Sequence, residues 1–197
     1  QKRFKESRVP FSCPRRRGPS YGSVPSFKPY CISGYFKTME IGKTVIIFFA
    51  TYAGYLLIGG LLTFLLKDWR KHVFLILQMI AAAILSRGII TEVIRFFWHR
   101  SRPFVEQNFV PLIPHTDSAS FPSGHATFFF AVGAVLYMHN KKAGVVFLLG
   151  SALIGIARIL AGLHWPSDVI GGALIGVACG WLVWKSAILY SRRSHAD

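Results

Sequence analysis

Charged residues are scarce in this chain of 197 residues. Asp, Glu, Lys and Arg together make up 16% of it, whereas hydrophobic residues make up 52%. The mean hydropathy is +0.42. A soluble domain of this length carries far more charge on its surface, so the composition excludes that class and favours a membrane protein. The length suits one compact domain.

Acidic residues and cysteines are scarcer still. The chain has 8 Asp and Glu against 23 Lys and Arg, a net charge of +15. In a soluble protein this excess would suggest nucleic acid, but here it accompanies long apolar segments, so no nucleic-acid partner is expected. The three cysteines form no CxxC pair, the usual spacing of a metal site. Cys179 lies in an apolar run and is expected to be a small buried residue. A disulfide between Cys13 and Cys31 would need an oxidising compartment.

Residues 1–38 lack the apolar periodicity of the rest of the chain. They hold nine Lys or Arg and one Glu, a local charge of +8, among many Pro, Ser and Gly residues. Such a composition buries too little surface to offset the entropy lost on ordering. We predict a disordered basic tail that is not native, and a membrane-embedded domain over residues 39–197 that starts at Met39. The alternative is a native polybasic patch that binds anionic lipid or nucleic acid.

Five apolar segments predict an all-α, polytopic membrane bundle of about five transmembrane helices, because each approaches the length that crosses about 30 Å of hydrocarbon. The third is short and must include residues 121–125 to reach across. In the fifth, Gly172, Gly176 and Gly180 recur every four residues, a spacing that allows close helix packing. The segments are residues 44–66, 73–97, 126–138, 143–162 and 169–190.

The short basic segments predict an orientation. Residues 67–72, 139–142 and 191–195 fall on one side of five alternating spans, and the positive-inside rule makes that side cytoplasmic. Residues 95–125 and 162–168 then face outward. The amino terminus falls outward too, where its +8 charge opposes the rule, which supports a start at Met39.

Polar and charged residues collect at the outward ends of the spans. Charges at membrane depth are costly and are by default candidates for function. Three arginines beside two histidines would repel one another without an anion between them, and phosphate matches the guanidinium fork. The residues are Arg95, Arg102, Ser123, Gly124, His125, Arg158, His164 and Asp168.

Each motif also has a plain structural explanation. Ser123 is a candidate N-cap, and a helix start beside Gly124 binds phosphate well. An ordinary capped helix would show the same sequence pattern. Asp168, four residues after His164, could accept a proton from one ring nitrogen and leave the other to attack, or the pair could merely cap a helix. A lone Arg158 could simply snorkel to the interface.

The segment before Pro103 adds two arginines seven residues apart. If the helix continued, Arg95 and Arg102 would project from one face, and Pro103 is expected to stop it. Glu92 is predicted to pair with Arg95 in a structural contact, and Arg87 lies deeper. His99 and Arg100 are interpreted as interfacial. Separate structural roles would not place all these segments on one membrane face, so together they indicate a shared site.

The three segments resemble the signature of the type 2 phosphatidic acid phosphatase family. The family pattern is K-x6-RP, then PSGH, then SR-x5-H-x3-D. The chain has Arg95-x6-Arg102-Pro103, residues 122–125 as PSGH, and Arg158-x5-His164-x3-Asp168. Arg95 replaces the usual lysine, and Ala157 replaces the usual serine before Arg158. The first change keeps the charge but enlarges the cation, and the second removes a hydroxyl donor.

The resemblance implies roles for the site residues. His164 would be the nucleophile that forms a phosphohistidine, Asp168 would orient it, and His125 would be the general acid. The phosphoryl oxygens would be held by the remaining residues, without a metal or other cofactor. These are Arg95, Arg102, Arg158, Ser123 and Gly124.

Within the family, residues 111–125 and the five-span layout are most similar to bacterial undecaprenyl-diphosphate phosphatases of the bacitracin-resistance type. That resemblance implies a plasma-membrane enzyme that recycles the carrier lipid of peptidoglycan at the outer leaflet. One alternative is a broad-specificity phosphatase of phosphatidic acid or phosphatidylglycerophosphate. The other is a catalytically silent membrane protein that binds lipid phosphate. The changes at Arg95 and Ala157 favour this second alternative. His115 and Asp117 either line the substrate entrance or belong to a solvated loop.

Overall fold

The computed structural model describes the backbone of residues 40–193 and the side chains of residues 42–191. The expectations for residues 1–38, including Cys13 and Cys31, lie outside the described residues. The described chain is helical and contains no strand, as the sequence predicts. Its elements are α1 (Glu40–Thr51), α2 (Ala53–Lys67), α3 (Trp69–Ala83), a π-helical segment (Ile84–Ile90), α4 (Thr91–Phe97), α5 (Pro103–Glu106), α6 (Gly124–His139), α7 (Lys141–Leu160) and α8 (Pro166–Arg193).

Three described stretches are long and apolar enough to cross a membrane. They are the continuous run Trp69–Phe97, α7, and Pro166–Ser191 of α8. A fourth forms if α1 and α2 count as one broken span, since they meet at an angle of 47°. The predicted third span is shorter than expected, because α6 begins only at Gly124 and has 16 residues. At 1.5 Å per residue, it falls short of the hydrocarbon thickness.

The first predicted span is bent rather than straight, because a distant side chain enters its hydrogen-bond ladder. Nη1 of Arg158 on α7 donates to the carbonyl of Ala50 at 3.2 Å, just before the break at Tyr52. In a straight helix that carbonyl would be committed to the amide of residue 54. A side chain inserted into the ladder is a recognised cause of a sharp kink. Uninterrupted hydropathy over residues 44–66 could not reveal this bend.

Helix α6 occupies the centre of the bundle, and glycines of α8 allow its close packing. A Cβ on Gly176 would lie 2.6 Å from the carbonyl oxygen of Thr127, and one on Gly180 would lie 2.6 Å from that of Ala131. The prediction that these glycines are packing residues is confirmed. Cys179 is free and only 4% exposed, also as predicted.

The chain between α4 and α5 differs from the prediction. The helix ends at Phe97, so Arg95 and Arg102 do not share one helix face. Arg102 is extended, with ψ 156°, and Pro103 starts the short helix α5 instead of ending the preceding one. Proline favours an extended residue before it and suits the first helical position, where no amide hydrogen is needed.

Candidate active site

The ends of α4, α6 and α7 enclose a cavity of about 470 Å³ together with the turn before α8. Its wall includes arginines and histidines from all three predicted segments. Apolar side chains from α1, α2 and α6 complete the wall. The arginines and histidines that line the cavity, with the glycine at the start of α6, are Arg87, Arg95, Arg102, His115, Gly124, His125, Arg158 and His164.

His164 lies in the turn between α7 and α8 and is 3% exposed. Its Nδ1 is 3.2 Å from the carbonyl oxygen of Ser120 and 3.7 Å from Oδ2 of Asp168. Burial lowers the pKa of His164 below its usual value, while the nearby Asp168 carboxylate opposes this and the charge of Arg102 adds to it. The ring is therefore neutral near pH 7, with one nitrogen turned toward two oxygen atoms.

Asp168 is fully buried behind His164 and does not line the cavity. Its carboxylate accepts hydrogen bonds from the Ser120 hydroxyl and from the Trp165 amide, the latter at 2.9 Å. Nη1 of Arg100 lies 2.9 Å from Oδ1. The interpretation of Arg100 as interfacial does not include this contact. The signal that could have revealed this contact is the position of Arg100 two residues before Arg102, in the loop between α4 and α5.

Arg102 is 3% exposed and is held mainly by backbone carbonyls. Its Nε donates to the carbonyl of Ser118 at 2.9 Å, and its Nη1 donates to that of Leu163 at 3.1 Å. Nη2 donates to the Ser118 hydroxyl at 3.0 Å. Burial lowers the pKa of Arg102, and the neighbouring charge of Arg95 lowers it further. A guanidinium has five N–H donors, so two stay available for a ligand.

Arg95 and Arg158 each have a buried N–H donor without a hydrogen-bond partner among the described residues. Nη2 of Arg95 donates to the carbonyl of Pro122 at 3.0 Å, and its Nη1 lies 3.6 Å from Glu92, which confirms the predicted pair. Arg158 is 7% exposed, so it does not snorkel to the interface. Within the described part of the chain, Nε of both arginines is buried without a hydrogen-bond partner. Buried unpaired donors of this kind fit an anion in the cavity.

Ser123 stands at the N-cap position of α6, but its side chain makes no capping hydrogen bond. The predicted N-cap position is confirmed. Its Oγ is buried with no partner among residues 40–193. The Ser123 amide donates to the carbonyl of Asp168 at 3.0 Å, which ties the PSGH segment to the start of α8. The first amides of α6 are without intrahelical partners, so they and this free hydroxyl leave several donors at the helix start, a position that favours anions.

Comparison with known proteins identifies the family. A model of the PAP2 superfamily matches residues 75–188, more than half of the chain, including all three motifs. The chain belongs to the PAP2 superfamily. The bacitracin transport permease protein BcrC of Bacillus licheniformis is 32% identical over 152 residues, 77% of this chain and 74% of that protein. The crystal structure of Aquifex aeolicus LpxE superposes with a TM-score of 0.62 at 29% identity, covering 76% of this chain and 88% of that one.

Other relatives in the PAP2 superfamily carry the names of phosphatases. The undecaprenyl-diphosphatase BcrC of Bacillus subtilis is 34% identical over 97 residues, about half of each chain at 49% and 50%. A lipid A 1-phosphatase of Rhizobium etli is 31% identical over 157 residues, 76% of this chain and 64% of that protein. The predictions of a membrane phosphatase and of its family are thereby confirmed. This PAP2 protein is a multi-pass membrane lipid phosphatase.

Two further basic residues of this PAP2 cavity lie outside the family motifs. His115 is exposed at the surface yet lines the cavity, so of the two alternatives the entrance role fits it better. Partial burial against the wall, then the charges of Arg102 and Arg158, lower its pKa to about 4. Asp117 is exposed and does not line the cavity. Arg87 does line it, and its position in the cavity was not predictable from the sequence. No cluster of His, Cys, Asp and Glu that could hold a metal occurs among the described residues.

Proposed function

We propose that this phosphatase hydrolyses undecaprenyl diphosphate to undecaprenyl phosphate and phosphate, at the outward face of a bacterial plasma membrane. The observation that carries the proposal is a buried, neutral His164 beside three arginines, two of which hold unpaired donors. Such a site suits a phosphoryl group under attack by a ring nitrogen. The named activity of the Bacillus subtilis relative supports the choice of lipid.

The nucleophile is Nε2 of His164. Nδ1 faces the carbonyl oxygen of Ser120 and the carboxylate of Asp168, and two acceptors there keep the proton on Nδ1. The lone pair is then on Nε2. Attack on the terminal phosphorus forms a P–N bond and breaks the P–O bond to the inner phosphate. Asp168 stabilises the positive charge that develops on the ring.

His125 at the start of α6 is the general acid. It lines the same cavity as His164 and donates its proton to the oxygen of the departing lipid phosphate. Water then attacks the phosphohistidine and gives its proton back to His125. The P–N bond breaks, inorganic phosphate leaves, and both histidines return to their starting states.

The remaining residues stabilise charge and position the lipid. Arg95, Arg102 and Arg158, with the Ser123 hydroxyl and the Gly124 amide, surround the phosphoryl oxygens as negative charge moves through the transition state. On the other wall, Tyr55 and Ile58 of α2 and Phe128 of α6 give the cavity an apolar side. The polyprenyl chain leaves the site along this side, toward the membrane interior.

A broader lipid phosphate phosphatase is the second candidate. The observation in its favour is the similarity to the lipid A 1-phosphatase and to LpxE, which covers about three quarters of this chain, at 76% in each case. Its chemistry at His164 would be the same. A catalytically silent protein that binds lipid phosphate is the third candidate. Its support is Ala157, which replaces the serine that is usual in the family motif.

Phosphate release by the purified full chain separates these candidates. We expect rapid release from undecaprenyl diphosphate, slower release from phosphatidic acid, and a labelled phosphoenzyme that acid hydrolyses and base preserves. His164→Gln should abolish release and labelling. His139→Gln is the matched control, because His139 is an exposed histidine at the far end of α6. Faster turnover of phosphatidic acid would overturn the proposed substrate, and no turnover by a folded protein would support the silent binder.

A further inference from the structure

Arg87 lies in the cavity but belongs to none of the three family motifs. It is carried by the π-helical segment Ile84–Ile90, in the middle of the continuous helix that ends with α4. π-helical turns within α-helices are rare and occur often at functional sites. The Arg87 guanidinium lies directly over Gly124, since a Cβ on that glycine would be 2.5 Å from Nε of Arg87. A side chain at this position would push the arginine aside.

Arg87 lies on the His125 side of the cavity. Gly124 directly precedes His125, and the charges of Arg158 and Arg87 both act on the His125 ring. The charges that act on the His164 ring include those of Arg102 and Arg158. Arg158 therefore acts on both histidines, Arg102 acts on the nucleophile, and Arg87 adds a cation on the side of the general acid. In an in-line displacement the leaving group lies beside the general acid.

From the position of Arg87 over Gly124, beside the general acid, we propose that Arg87 binds the inner phosphate of a lipid diphosphate, the phosphate that stays on the lipid, and so selects diphosphates over monophosphates. The inference rests on the proposed function. A lipid monophosphate places an uncharged ester group at this point, and such a group forms no ion pair with a guanidinium. A diphosphate places a second anion there, which a guanidinium binds through paired hydrogen bonds.

The ion pair with Glu92 does not prevent Arg87 from binding a phosphate. Its Oε1 accepts a hydrogen bond from Nη1 of Arg87 and lies 3.6 Å from Nη1 of Arg95. One carboxylate thus stands between two guanidiniums, and a net positive charge remains. The Arg87 and Glu92 side chains are 40% and 53% exposed, so a ligand reaches them. Glu92 is a positioning residue that holds Arg87 at the cavity edge.

Inhibition constants for a matched pair of compounds test the inference. Farnesyl diphosphate and farnesyl monophosphate differ only in the inner phosphate. Each is measured as a competitive inhibitor of the full chain, with whichever lipid the wild type turns over as reporter. We expect Arg87→Gln to raise the constant for the diphosphate about 10- to 100-fold, as for the loss of a charge-assisted hydrogen bond, and that for the monophosphate about twofold or less.

Two variants control the measurement. Arg87→Lys keeps the charge without the fork and should recover part of the selectivity, which also shows that the site is folded. Arg70→Gln removes an exposed arginine 17 residues earlier, near the start of α3, and should change neither constant. An equal rise for both compounds would mean that Arg87 serves the site in general and would overturn the inference. No rise for either would reduce Arg87 to the partner of Glu92 and would overturn it as well.

The wild type separately tests the function on which the inference rests. Turnover of phosphatidic acid but not of undecaprenyl diphosphate overturns the proposed substrate, yet the two inhibition constants still decide the role of Arg87. With no turnover of either lipid by a folded protein, both proposals fall.

Discussion

The Asp168 carboxylate has partners that come from three different parts of the chain. It is fully buried, and its contacts are with Arg100, the Ser120 hydroxyl and the Trp165 amide. A buried carboxylate without partners would be costly, so these contacts keep it charged. Its distance of 3.7 Å from Nδ1 of His164 then makes it an electrostatic support for the ring.

Removal of that charge should slow the chemistry more than removal of a partner. We expect Asp168→Asn to lower kcat about 100-fold or more, because the imidazolium-like charge on His164 loses its support. Ser120→Ala should lower kcat about 10-fold, since the carboxylate keeps its other partners. Single-turnover phosphate release measures both. Asp68→Asn, at an exposed aspartate in the turn before α3, is the control and should stay near wild type. Equal losses for the first two variants would contradict this ranking.

The lowered pKa of His164 predicts where activity falls with acid. Burial is the main cause of the lowering, and the contact with Asp168 opposes it. The nucleophile must be unprotonated, so kcat/KM should hold as the pH falls to about 6.5, the usual value for histidine, and decline below it. Asp168→Asn should move the decline to lower pH, because it removes a group that raises this pKa. A decline already above pH 7 would contradict the assignment.

His115 provides the control for this pH profile. Its pKa is lowered to about 4 by partial burial and by the arginines, so it is neutral over the range in which His164 titrates. His115→Gln should therefore leave the position of the decline unchanged, although this residue lines the same cavity. A shifted decline in this variant would assign the titration to His115 instead.

At the scale of elements, the contact between α6 and α8 holds the site together. The backbones approach closely where α8 has glycine, and this contact fixes the start of α6 against Asp168. Because the PSGH segment opens α6 and Asp168 lies in the first turn of α8, any separation of the two helices displaces both. Packing at the glycines is thus linked to the geometry of catalysis.

A single added methyl group tests this packing. Gly176→Ala would bring its Cβ to 2.6 Å from the Thr127 carbonyl oxygen, and backbone cannot move aside as a side chain can. We expect a loss of about 1–3 kcal/mol in the free energy of unfolding, measured by denaturation in detergent. Gly59→Ala is the matched control, since a Cβ there meets no atom within 4 Å. It should be neutral or raise helix stability by up to about 1 kcal/mol. Equal effects would refute the packing role.

At the scale of the whole molecule, the charged ends of the bundle differ. The phosphatase site lies where α4, α6 and α7 meet the loop before α6, and the basic segments around Lys71 and Lys141 belong to other helix ends. The positive-inside rule predicts that the basic ends face the cytoplasm. An outward site is what a carrier lipid released at the outer leaflet requires.

Labelling of introduced cysteines tests this orientation. In a background without Cys13, Cys31 and Cys179, we expect an impermeant maleimide to label Gln107→Cys in intact cells. Lys141→Cys should react only after the membrane is opened. Both positions are exposed and lie outside the cavity wall, so accessibility depends on the side of the membrane alone. The reverse pattern would place the site at the cytoplasmic face and would contradict the proposed leaflet.

Much of this protein follows from local patterns in the sequence. Long apolar runs are a property of neighbouring residues, so helices within a membrane were predictable. The motifs around Arg102, His125 and His164 combine residue types that phosphate chemistry needs, so their common cavity and the family were predictable too. The glycine spacing of α8 likewise indicated close packing, because one face of a helix recurs about every four residues.

Only the tertiary structure decided which distant groups meet. The bend at Tyr52 depends on Arg158, 108 residues after Ala50, and the Asp168 carboxylate is paired with Arg100, 68 residues before it. Arg87 became part of the site because α6 begins directly beneath it. Hydropathy and motif spacing are properties of neighbouring residues along the chain. A hydrogen bond or an ion pair between distant residues depends on which helix ends come together in space.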